Sequence, residues 1–131
     1  MVFPGGGSVG KGIPVTFPRR GDVYLVDLEH TRGAEIQKQR PAVVIQNDVG
    51  NRYSAVTIVA ALSSSVPDKP FPFIVRIESS EGGLEHDSVV LLNQVRTIDK
   101  SRLLRRLGKL KPATMARVDR ALQISLGLIA V

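Results

Sequence analysis

The chain has no cysteine and no tryptophan, only four phenylalanines and two tyrosines. No apolar run approaches the roughly 20 residues that a membrane-spanning helix needs. Each absence removes a class of function. Without cysteine there is no disulfide, no thiolate nucleophile and no cysteine-based metal site. With aromatics at 5% and no tryptophan, stacking bases on an aromatic platform is not the main way such a chain would hold nucleic acid. The two histidines, His30 and His86, lie far apart in sequence and show no metal-ligand spacing. They are expected to be surface or structural residues. The N-terminus carries no hydrophobic signal region, so a cytoplasmic location is expected.

What remains is an ordinary single-domain composition. The 131 residues are 43% hydrophobic and 23% charged, enough for one core. Eighteen basic residues against twelve acidic give a net charge of +6. Such an excess suits a polyanion, most commonly nucleic acid, although a basic protein without such a partner fits the charge equally.

Residues 1–18 hold five glycines and three prolines without periodicity and are expected to form a flexible leader. The domain proper is expected over 19–131. Its centre is the stretch from Glu35 to Asp48, a polar, basic segment followed by the strand-forming run Ala42–Ile45. Pro41 stands at the join. It has no N–H for a ladder and biases Arg40 towards an extended backbone, which holds an arginine at the mouth of a sheet.

Alternation predicts strands over 21–28, 42–46, 55–62, 71–78 and 87–92, and a sixth that begins at 94–98 and continues through 102–104. The turn formers of 47–51 predict a loop joining the second and third strands as a hairpin. Pro112 suits a first helical position. Met115, Val118, Leu122, Leu126 and Ile129 follow at helical spacing, with Arg117 and Arg120 turned away. The expected fold is mainly β: a small, partly open antiparallel barrel of about six strands covered by a C-terminal amphipathic helix.

Five motifs in order carry a resemblance: Arg20-Gly21-Asp22-Val23-Tyr24, Gly33-Ala34-Glu35, Arg40 through Asp48, Leu91 through Asp99, and the closing segment from Val118 to Leu126. Together they resemble the MazF/PemK family, the toxin halves of bacterial toxin–antitoxin pairs. The resemblance implies a homodimer of SH3-like barrels that cuts single-stranded RNA at short sequences without metal or other cofactor. It also implies a cognate antitoxin that silences the toxin by occupying the RNA groove. Carried over residue by residue, the family's acidic loop residue falls on Glu35 and its essential arginine on Arg40. Its strand-ending hydroxyl falls on Ser63, with Ser64 beside it, and its RNA-facing glutamine on Gln94. Lys38, Gln39 and Asn47 complete the set expected to contact RNA. Two positions depart from the pattern. Ser63 replaces the usual threonine and loses the methyl that stiffens χ1, and Lys111 stands where a helix-capping side chain is common.

The implied chemistry uses the substrate's own 2′-hydroxyl as nucleophile, leaving a cyclic phosphate and a 5′-hydroxyl. Arg40 suits the charge on the phosphoryl oxygens, being always cationic and able to donate two parallel hydrogen bonds. It is a poor base, and Glu35 is the nearest candidate for that role. Ser63 suits donation to a phosphate or leaving oxygen. Each has a plainer alternative: Arg40 pairing with Glu35 to pin the loop, Ser63 starting a turn, Gln94 bonding backbone. Arg102, Arg105, Arg106, Lys109 and Lys111 are either an RNA-attracting patch or the blunting of an edge strand. Two other functions compete, a non-catalytic barrel that binds RNA or an acidic peptide, and a gyrase inhibitor of the same fold. The second is disfavoured because gyrase-directed relatives rely on a C-terminal tryptophan motif.

Overall fold

A computed structural model of the chain describes residues 17–28 and 39–131. The expected leader therefore lies mostly outside the described residues, as do Glu35, Lys38 and His30. Its last two residues pack against the domain: Pro18 is buried, and the Arg19 guanidinium lies 5.1 Å from the centroid of the Phe17 ring.

The elements run β1 (Asp22–Asp27), β2 (Gln39–Val44), α1 (Asp48–Tyr53), β3 (Val56–Ser63), β4 (Ile74–Ile77), β5 (Ser88–Asp99), β6 (Leu103–Lys109) and α2 (Pro112–Ser125). The six strands form one sheet in the order β4-β5-β3-β2-β1-β6, every neighbouring pair antiparallel. Strand periodicity divides the apolar side chains between two clusters. Val23, Val43, Ala60 and Leu62 join the larger one, against which α2 lays Val118 and Ala121. Val26, Ala42, Val44 and Val59 pack on the opposite face with Leu28 and Ile98. Alternate residues of one short strand thus feed two cores, and a one-residue slip of register would exchange them.

Three expectations are corrected. The connection after β2 is not a plain hairpin loop but contains the one-and-a-half-turn helix α1. Asn47 caps it by accepting from the Gly50 N–H at 2.8 Å. The fully buried Asn51 holds it to the sheet: its amide nitrogen donates to the Gln46 carbonyl and the Asp48 carboxylate, and its oxygen accepts from the Thr57 hydroxyl at 2.7 Å. A segment rich in Asn and Gly becomes helical because these tertiary bonds outweigh its weak propensity. Second, the expected fifth and sixth strands are one. Ala60 pairs with Val95 and Ala61 with Leu91, so Leu92, Asn93 and Gln94 form a bulge inside continuous β5. The Leu92 carbonyl freed there accepts from the Ser125 hydroxyl at 2.6 Å, tying the bulge to the end of α2. The true sixth strand begins after Arg102. Third, α2 stops at Ser125, short of Leu126 and Ile129. Gly127 has φ +74°, and the amides of Gly127 and Leu128 bond back to Ile124 and Gln123, which ends the helix. The buried stripe is Thr114, Val118 and Ala121, and Leu126 is 60% exposed.

Lys111 indeed offers no side-chain cap to α2. The sheet supplies one from elsewhere. Glu81, in the 3-10 turn Glu81–Gly83, accepts from the Lys111 N–H at 3.1 Å and from the Thr114 hydroxyl. Partial burial works against the Glu81 charge, but these two bonds with the Lys111 and Arg117 charges hold its pKa below the ordinary 4.5.

The same turn closes the architecture. Gly83 has φ +75°, and a Cβ built there would lie 2.0 Å from the Leu107 carbonyl oxygen, while one on Gly108 would lie 2.5 Å from the Gly82 carbonyl carbon. Backbone meets backbone at van der Waals distance only because neither position has a side chain. The link between β4 and β5 at one edge of the sheet is thereby docked on β6 at the other, so the sheet curls towards a barrel.

Two stability outcomes follow. Gly83→Ala is expected to cost about 2–4 kcal/mol through left-handed strain plus overpacking, against about 1 kcal/mol for Gly127→Ala, where a Cβ meets nothing within 4 Å. Equal urea midpoints for the two variants would contradict the docking. Glu81→Gln is expected to lose about 1 kcal/mol at pH 7. Because the native carboxyl has a depressed pKa, its contribution is complete above the unfolded value and is lost as pH falls through the folded one. The gap between wild type and variant should therefore close on acidification. A gap that stays constant to pH 2 would exclude the carboxylate cap.

Candidate functional site

Pro41 does enter a strand, but it does so opposite Leu25 next to the start of β2, with Arg40 opposite Val26. Its missing N–H is tolerated near the strand's first residues. From here a cleft of about 460 Å³ opens at one end of the sheet. Gln39, Arg40 and Pro41 line it from β2, and Leu62 and Ser63 from the end of β3, with Ser64 and Ser65 just beyond. Leu84, Glu85, His86 and Ser88 line it from the segment entering β5, and Arg105 and Leu107 from β6.

The structure thus brings together Arg40, Ser63, Gln39 and Ser64 of the expected set. Two others lie away from the cleft. Asn47 is engaged as the cap of α1, and Gln94 is exposed in the β5 bulge, neither among the lining residues. Glu35 and Lys38 lie outside the described residues.

Arg40 is half buried, and its Nε is enclosed with no hydrogen-bond partner among the described residues. Arg40 lines the cleft with a permanent cation, to which an anionic acceptor would be drawn. Ser63 Oγ accepts from the Ser65 N–H at 3.1 Å. The serine does start a turn, yet this bond uses only an oxygen lone pair and leaves the hydroxyl hydrogen to donate. The expected turn role and the expected donor role coexist.

The basic run of β6 resolves into separate roles. Arg106 pairs with the buried Asp22 at 3.2 Å, and Arg102 donates to the Asp27 carbonyl. Arg105 lines the cleft, and among the described residues no ion pair engages it. Among the described residues it gives the cleft, with Arg40, two cations against the one carboxylate of Glu85, a balance that favours an anionic ligand. Among the described residues no group of three or more acidic or histidine side chains has the geometry of a metal site.

Sequence reasoning missed Glu85 and His86 as cleft residues, and it named Arg105 only within a basic run that had two readings. The one available signal was Gly82-Gly83 ahead of them, a pair that reads as a chain break and turns out to be a docking point.

Comparison with known proteins places these features in a lineage. A family description, PemK-like, MazF-like toxin of type II toxin–antitoxin system, matches residues 19–126. The endoribonuclease MazF of Staphylococcus epidermidis is 50% identical over 110 residues, covering 84% of this chain and 92% of that protein. An endoribonuclease from a mycobacterial species superposes with a TM-score of 0.71 at 28% identity, covering 87% of this chain and 95% of that one. A mycobacterial endoribonuclease solved in complex with its cognate antitoxin gives a TM-score of 0.71 at 28% identity, covering 87% and 99%. The match extends through every strand that walls the cleft and all of α2, and on that ground the chain belongs to the PemK-like, MazF-like toxins of type II toxin–antitoxin systems.

Proposed function

We propose that the chain is an endoribonuclease toxin that cleaves single-stranded RNA at a short sequence, with the cleft around Arg40 as its active site. The observation that carries this reading is the convergence of Arg40 and Arg105 with the Ser63 hydroxyl, whose hydrogen is left to donate, on one cleft. Half-identity to a protein that bears the name endoribonuclease supports it.

In this reading the 2′-oxygen attacks the adjacent phosphorus and the bond to the 5′-oxygen breaks, giving a cyclic phosphate and a 5′-hydroxyl. Arg40 donates to the phosphoryl oxygens as their charge grows, so its hydrogen bonds are strongest in the transition state. Ser63 adds a neutral donor. Glu35, five residues before Arg40 in the chain, takes the 2′-hydroxyl proton. No step calls for a metal ion. Gln39, Ser64 and Arg105 hold the strand, with Lys38, Asn47 and Gln94 as further contacts along its path. The protein works as a homodimer in the cytoplasm, and a cognate antitoxin with an acidic, disordered segment orders itself over the same basic cleft.

Purified protein incubated with a long single-stranded RNA in EDTA should give discrete cuts with 5′-hydroxyl ends on primer extension. Arg40→Ala should lose about 10²–10³-fold in rate. Ser63→Ala should lose less, and Ser63→Thr should retain activity. Cutting that vanishes in EDTA, or that survives Arg40→Ala undiminished, would overturn the mechanism. RNA and antitoxin should compete for the protein, and a ternary complex would contradict the shared cleft.

A further inference from the structure

His86 has no expected role, yet the fold takes trouble to place it. The docking of Gly82–Gly83 on Gly108 brings the segment into β5 against β6, and buried Leu84 anchors it from below. Asp87 brackets it from the far side, accepting from the Ser79 N–H at 2.8 Å and then from Arg76 at 3.3 Å, bonds that hold its carboxyl below the ordinary carboxylate range. Ser88, 5% exposed, donates its hydroxyl to the His86 carbonyl at 3.0 Å. The backbone on either side of His86 is thus fixed, while its imidazole is exposed in the cleft that Arg40 and Ser63 line from other strands. An exposed side chain on a rigid base costs little stability, so such anchoring points to a task in the cleft.

We infer that His86 is the general acid of the cleavage, giving its proton to the 5′-oxygen as the phosphorus–oxygen bond breaks. This rests on the ribonuclease reading above and assigns the step that reading leaves open. The electron pair of the breaking bond goes to O5′, and the imidazolium proton follows it. The 2′-hydroxyl proton has meanwhile gone to the base, so protons and charge balance over the step. In-line displacement puts attacking and leaving oxygens on opposite sides of phosphorus. Arg40 lines the cleft from β2 and His86 from the segment entering β5, so a phosphate held between them would meet the two side chains from different walls. Histidine is the side chain whose proton is most readily exchanged near neutrality. The charged groups that share the cleft with it are Arg40 from β2, Arg105 from β6 and Glu85 from its own segment.

The test compares wild type, His86→Gln and Arg40→Ala on one RNA oligonucleotide that wild type cuts, and on the same oligonucleotide with sulfur replacing the 5′-oxygen at the scissile bond. A thiolate leaves without protonation. His86→Gln should lose about 100-fold in kcat on the oxygen substrate with KM little changed. It should also lose the fall in rate at high pH that a required acid produces, and cut the sulfur substrate as fast as wild type. Its unfolding midpoint should match wild type, since the side chain is exposed. An unchanged kcat, a change in KM alone, or an equal deficit on the sulfur substrate would overturn the role of His86 while leaving the ribonuclease reading intact. Absence of cutting by wild type on any RNA would instead remove the reading on which it rests.

Discussion

The contact on which the rest depends is the backbone-to-backbone docking of the Gly82–Gly83 turn on Gly108. A six-stranded antiparallel sheet with a free strand at each edge has no intrinsic reason to curl into a vessel. Here the link between β4 and β5 reaches across to β6, and a methyl group on either side would force them apart. The same short turn carries Glu81, which caps α2 from outside the helix, so one element sets both the curl of the sheet and the start of the helix that covers it. Val118 and Ala121 are then held over Val43, Ala60 and Leu62, completing the larger core.

The cleft is the consequence of that closure. Its walls come from strands distant in sequence, and the closure turns their ends towards one space. Burial gives the arginine its chemical leverage. In bulk water a guanidinium exchanges one set of hydrogen bonds for another with little net gain. Half buried at the cleft, it would gain more from an acceptor whose charge is growing. The neighbouring serine spends a lone pair on its own turn and keeps its hydrogen. Structure and chemistry are compatible in one side chain because a hydroxyl can accept and donate at once.

Much of this was legible in the residues, and what was not has identifiable causes. Strand positions follow from alternation, and Val43 and Val44 do point into opposite cores. Arg40 stood out because proline follows it, a local rule. Helix α1 was not legible because its stability comes from Asn51 reaching the sheet, which no window of sequence displays. The bulge at Leu92–Gln94 looked like a gap between two strands, since an irregular stretch within a ladder and a turn share the same polar residues. The end of α2 was overrun because an apolar period continued past Gly127, where backbone conformation, not hydrophobicity, ends the helix. His86 was expected at the surface and is exposed, but its place in the cleft was not legible, for a deeper reason. Its place in the cleft depends on a glycine pair meeting a third glycine on another strand, and nothing near it in sequence records that meeting.

The proposed cleavage requires that the substrate's own hydroxyl does the chemistry while the protein supplies donors and proton carriers. The most direct measurement uses an oligonucleotide with a single 2′-deoxy nucleotide at the mapped cut site, compared with its all-ribose twin. The deoxy oligonucleotide should remain uncut while competing for the protein with an affinity close to that of the ribose one. Cleavage at the deoxy position would show that another nucleophile, water or a side chain, attacks the phosphorus, and would contradict the roles assigned to Arg40, Ser63 and His86 together.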